Sequence, residues 1–143
     1  MRWVIPARPK TDRLACAWLI RGFIDPTGEL LFTLPQAVLG VAKAEGAWSV
    51  DVPEADYAHQ GGKCTFETLI EHYGLGGDAG LGRLARAVHA ATLADDVTVD
   101  PLAPVVLAVG EGGLAVAADD RHLVARASFV YDALYAWCRQ HPD

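Results

Sequence analysis

The sequence predicts an α+β fold, with a small N-terminal β/α sheet layer packed with a helical C-terminal half. Two patterns predict it. Short apolar runs alternate with helical stretches up to about residue 52, and from Cys64 onward apolar residues recur at helical spacing. A third observation unites the halves: no Pro/Gly/Ser-rich linker divides the 143 residues, so 1–143 reads as a single domain, long enough for a real core.

Trp3-Val4-Ile5 reads as a short strand. A helix follows from about Asp12 to Ile24, with Thr11 as N-cap and Asp25-Pro26 with Gly28 as the stop. Leu14, Cys16, Trp18, Leu19, Ile20, Phe23 and Ile24 make that helix apolar nearly all round, which predicts burial. Glu29 to Leu34 reads as a second strand, Pro35 opens a helix to about Glu45 with Gly46 at C′, and Trp48 to Val52 reads as a third strand. This order predicts a parallel or mixed sheet with right-handed crossovers.

In the second half, Phe66, Leu69, Ile70 and Tyr73 repeat at helical spacing, with Thr65 as N-cap and Gly74 at C′. Asp78 opens a helix whose inward stripe is Leu81, Leu84, Ala85, Val88 and Thr92. Asp100-Pro101 starts a short helix ending near Gly110. Asp119 caps a long last helix with Leu123, Ala127, Val130, Tyr131, Leu134 and Cys138 as its seam.

Eighteen acidic against twelve basic residues give a formal charge of −6, which argues against nucleic-acid binding by this chain alone. Three widely spaced cysteines, with no CxxC, predict a reducing compartment. Arg8 and Lys10 come too early for a signal segment, and the apolar run Leu102 to Val109 is too short to span a bilayer. The expectation is a soluble, cytoplasmic protein with no membrane partner.

Two segments carry candidate chemistry. The turn Arg8-Pro9-Lys10-Thr11-Asp12-Arg13 places three cations between a strand and a helix start. Unpaired N–H groups, the helix dipole and planar guanidinium forks there favour a small oxyanion. Arg8, Lys10, Arg13 and Asp12 are the candidate residues, although Asp12 repels an anion unless Arg13 or a metal neutralises it; a solvated loop with Asp12 in the cap is the plainer reading. The second segment runs from Ala58 to Glu67. His59 from a loop, Glu67 from a helix start and His89 from the next helix could bind a divalent metal ion of unspecified identity and leave a position open for water or substrate. Asp95 or Asp96 could add an oxygen, or Cys64 a thiol sulfur. The spacing is not a tight metal signature, and a hydrogen-bonded histidine or a dipole-placed glutamate explains the same residues. If strands one and three are parallel, the loops after them leave the same sheet edge and the two candidates become neighbours.

The run Arg8-Pro9-Lys10-Thr11-Asp12-Arg13-Leu14-Ala15-Cys16-Ala17-Trp18-Leu19-Ile20-Arg21-Gly22-Phe23-Ile24-Asp25-Pro26 resembles the opening signature of the chromate-resistance protein (ChrB) family, C-terminal domain. The resemblance continues through His59–Glu67, Tyr73-Gly74-Leu75, Leu84–Ala91, Asp119-Asp120-Arg121-His122 and Tyr131–Arg139. It implies a role in chromate resistance, a stress response in which longer members are described as chromate-responsive regulators of an efflux operon. Those members carry an additional N-terminal region, so DNA binding is not carried over. Related sequences often have an acid about three positions after His89, where this chain has Thr92. If that acid is a ligand elsewhere, a metal site here is weakened or turns to Asp95 or Asp96.

The leading expectation is a sensor or resistance module for a chromate-like oxyanion, with or without a divalent metal. The alternative is a metal-dependent enzyme of unknown substrate, with His59, Glu67 and His89 activating water. A third reading makes Tyr131, Tyr135 and Trp137 a homodimer interface, against core packing for the same aromatics.

Overall fold

Strand β1 (Arg2–Pro6) lies at the centre of a three-stranded sheet described, like the rest of residues 1–143, by a computed structural model. Strands β2 (Glu29–Thr33) and β3 (Trp48–Ser49) flank it, and both pairings are parallel. Register sets Val4 opposite Leu31 on one side and Ser49 on the other. Side chains alternate along β1 as strand geometry requires. Trp3 and Ile5 enter the main hydrophobic cluster, while Val4 packs with Val38, Ala42 and Val52 in a smaller one. Helices therefore cover both faces of β1, which explains its run of buried apolar residues.

Helix α1 (Asp12–Leu19) continues as a π-helical turn over Ile20–Ile24, closed by Asp25 N–H donating to the Ile20 carbonyl at 2.7 Å. The helical stretch thus ends where Asp25-Pro26 predicts. Thr11 precedes it without a side-chain cap bond; its φ is 45° and Ala15 N–H reaches its carbonyl instead. Pro35–Ala37 forms a single 3-10 turn before α2 (Val38–Glu45), and Gly46 closes α2 at φ 62°. The third strand is shorter than the expected Trp48–Val52, because Asp51 takes φ 62° and breaks the extended backbone.

Four helices form the second half: α3 (Thr65–His72), α4 (Ala79–Leu93), α5 (Ala103–Val116) and α6 (Asp120–Gln140). Cys64, not Thr65, caps α3, since the reciprocal pair is the Cys64 side chain with the Glu67 amide and the Glu67 side chain with the Cys64 amide. Helix α5 outruns its predicted end near Gly110, because Gly110 serves close packing there. A Cβ at Gly110 would lie 2.9 Å from Thr11 N and from Lys10 Cβ. Asp100 both caps this region through Leu102 N–H and pairs with buried Arg83 of α4 at 3.1 Å.

One cluster of 27 buried hydrophobic residues runs from Trp3 to Cys138 and draws on β1, β2 and every helix except α2. Tyr131 lies inside it, Tyr135 packs against its edge, and Trp137 is 43% exposed. No helix is long and apolar enough to cross a membrane.

Candidate functional site

Because β1 and β3 run parallel, the β1–α1 turn and the β3–α3 loop leave the sheet at the same edge. All four non-glycine residues with positive φ lie in these two connections: Arg8, Thr11, Asp51 and Glu54. Such backbone persists only where surrounding contacts hold it.

Between the two connections lies Asp12, the first residue of α1. Its carboxylate is buried and accepts from Thr65 N–H at 3.0 Å, Phe66 N–H at 2.9 Å and Cys16 Sγ at 3.6 Å. The start of α3 thus presents its amides to an anion, and that anion is a carboxylate of the chain itself. Burial, then the nearby Asp51 charge, pushes the Asp12 carboxyl up to about 6, against the pull of the two amide bonds.

Asp51 stands immediately beyond β3. One of its oxygens accepts from Arg13 Nε at 2.8 Å; the other accepts from the Thr65 hydroxyl at 2.6 Å. His59 Nδ1 lies 3.0 Å from the Thr65 hydroxyl, 3.5 Å from Asp51 Oδ1 and 3.6 Å from Asp12 Oδ2. Asp12, Asp51 and His59 form one group of candidate metal ligands, whose ligand atoms lie within 4.8 Å of one another.

Cys64, Glu67 and His89 form a second such group. Glu67 Oε1 accepts from Cys64 N–H at 3.0 Å and meets His89 Nδ1 at 2.6 Å. Partial burial works to raise the Glu67 carboxyl, but the bonds from His89 and Cys64 outweigh it and hold the group below its usual value. Cys16 and Cys64 are both pushed well up, first by burial and then by the Asp12 charge, which leaves them as thiols at neutral pH.

The expected ligand set is therefore divided between two clusters: His59 joins Asp12 and Asp51, whereas Glu67 and His89 join Cys64. Asp95 is exposed and belongs to neither, and Asp96 caps the 3-10 turn Val97–Val99. Of the turn's three cations, only Arg13 reaches the cluster. Arg8 donates its backbone N–H to Asp120 at 3.1 Å, and Lys10 lies 3.9 Å from Glu111 of α5. Sequence reasoning missed Asp51, which stood inside a predicted strand; no local signal marks it. It also missed Thr65 as a site residue, having used it as a cap.

The larger clefts lie elsewhere. One of about 460 Å³ is lined by Asp56, Tyr57, Lys63, Glu71 and His72, among others, and an apolar one of about 700 Å³ lies between α5 and α6.

A family model described as ChrB, C-terminal domain, matches residues 3–138. Protein ChrB of Cupriavidus metallidurans is 33% identical over 141 residues, covering 94% of this chain. The match takes in 40% of that protein, so this chain spans well under half of its relative's length. No solved structure matches.

Proposed function

This chain belongs to the ChrB C-terminal domain family, and on that premise we propose that it has a chromate-resistance-related role, as an oxyanion-responsive sensor or resistance module. The observation that carries the reading is the placement of Arg13. Asp51 holds its guanidinium through Nε alone, at 2.8 Å, and the side chain remains about one-third exposed. The remaining Nη groups form the planar fork that suits a tetrahedral dianion. His59, 44% exposed, lies 3.5 Å from the other oxygen of the same Asp51. Selecting chromate over sulfate needs more than charge and size, which the two anions share.

Calorimetric titration with chromate and with sulfate tests this reading. Binding is expected to weaken by about tenfold or more in Arg13→Ala, as loss of a charged hydrogen-bonding group implies. Arg8→Ala removes a side chain with no hydrogen bond or ion pair to the cluster and is expected to change binding little. Absence of heat with both anions defeats the reading, as does binding that is indifferent to Arg13→Ala.

A further inference from the structure

We propose that Asp12, Asp51 and His59 hold a divalent first-row transition-metal ion such as Zn²⁺ or Mn²⁺. The inference deepens the oxyanion reading, on which its functional meaning rests. A gap separates the imidazole from both carboxylates. His59 Nδ1 stands 3.5 Å from Asp51 Oδ1 and 3.6 Å from Asp12 Oδ2, which is too long for hydrogen bonds. Nitrogen and oxygen ligands arranged tetrahedrally around a zinc-like ion lie about 3.4 Å from one another. His59 Nδ1 therefore already stands at that separation from each carboxylate oxygen, and the three ligand atoms all lie within 4.8 Å of one another. The Thr65 hydroxyl bridges the pair by hydrogen bonds, 3.0 Å from His59 Nδ1 and donating to Asp51 Oδ1 at 2.6 Å, and so holds the imidazole beside the carboxylate.

The outer oxygens of both carboxylates are held from behind. Arg13 Nε grips Asp51 Oδ2, while the Phe66 amide and Cys16 thiol grip Asp12 Oδ1. Such support orients ligand oxygens toward a common centre. A mixed set of two carboxylates and one imidazole selects borderline ions over hard alkaline-earth cations. The second cluster lacks the gap: Glu67 Oε1 and His89 Nδ1 are closed on each other at 2.6 Å, and the Cys64 side chain is spent on capping α3.

Charge connects the ion to the anion. Two carboxylates and one guanidinium leave the cluster with one net negative charge, which repels an oxyanion. A divalent ion reverses that sign and places a cation beside the Arg13 fork. His59 binds through Nδ1 in the tautomer protonated on Nε2, and its exposure leaves an open side for an anion to approach.

The test titrates Zn²⁺, and separately Mn²⁺ followed by electron paramagnetic resonance, into the metal-stripped full chain with no oxyanion present. One ion per chain is expected. His59→Ala and Asp51→Asn should each weaken binding by about tenfold or more, as loss of a ligand or its support does. His59 is an exposed loop residue, so His59→Ala should keep the wild-type circular dichroism. Glu67→Gln should bind the ion like wild type. No uptake, uptake unchanged in both cluster variants, or a loss confined to Glu67→Gln overturns the proposal. An ion bound without any chromate or sulfate binding defeats the oxyanion reading and leaves the metal site standing. Chromate bound by metal-stripped protein that takes up no ion does the reverse.

Discussion

Both carboxylate oxygens of Asp12 are engaged by the first two amides of α3, so any substitution there acts on the join between α1 and α3. Asp12→Ala leaves two buried N–H groups without a partner and is expected to cost on the order of 2 kcal/mol in urea denaturation. Glu67 supports a prediction about pH. Its carboxyl sits below the usual 4.5 in the folded chain, so folding favours the ionised form. That stabilisation is complete above 4.5 and is lost as pH falls through the lowered folded value. Asp12, raised to about 6, works in the opposite sense: its contribution is fully present below its ordinary 3.8 and is lost as pH rises through 6. The comparison is therefore made between wild type and Glu67→Gln at each pH, which cancels the Asp12 effect. The gap in Tm between them should narrow toward acid, and a gap that widens there contradicts the assignment.

Helix α5 and the turn it presses against show how an element can be longer than its local signals indicate. Gly110 lies where the helix backs onto the Lys10-Thr11 backbone, whereas a methyl group on Gly112 of the same helix would meet nothing within 4 Å. Gly110→Ala should therefore destabilise by about 1–3 kcal/mol through overpacking. Gly112→Ala should stabilise by about 0.5–1 kcal/mol, the usual gain from replacing glycine inside a helix. Thermal melts of the two variants check both, and a shift of the same sign in each would sink the packing explanation. The aligned strand–helix order was legible because it depends on local spacing. The cap of α3 was misplaced by one residue because Thr65 is the better cap by residue type, yet its hydroxyl is committed to Asp51 and His59. No sequence signal carries that commitment.

Over the whole molecule, the principal hydrophobic cluster joins the sheet to the helical half, from Trp3 to Cys138. A chain of this size with one shared cluster is expected to unfold in a single step. Urea unfolding followed by tryptophan fluorescence and by far-ultraviolet circular dichroism should give coincident curves. Separate midpoints would show that the halves fold independently. The four tryptophans make the optical test practical, since Trp3 reports on the sheet side and Trp18 on the α1–α6 packing with Tyr131.

Local order was determined by the sequence alone: the α+β class, the strand–helix alternation, the inward stripes of α3, α4 and α6, and the family to which the chain belongs. Each of these is written in residues a few positions apart or in a contiguous run. Only tertiary structure decided which acids, histidines and cations meet. Arg13 finds Asp51 across 38 positions, and Asp12 finds the amides of Thr65 and Phe66 across 53 and 54. Such pairings depend on parallel strand register and on how α3 docks against α1, and neither is encoded by the spacing of any one segment.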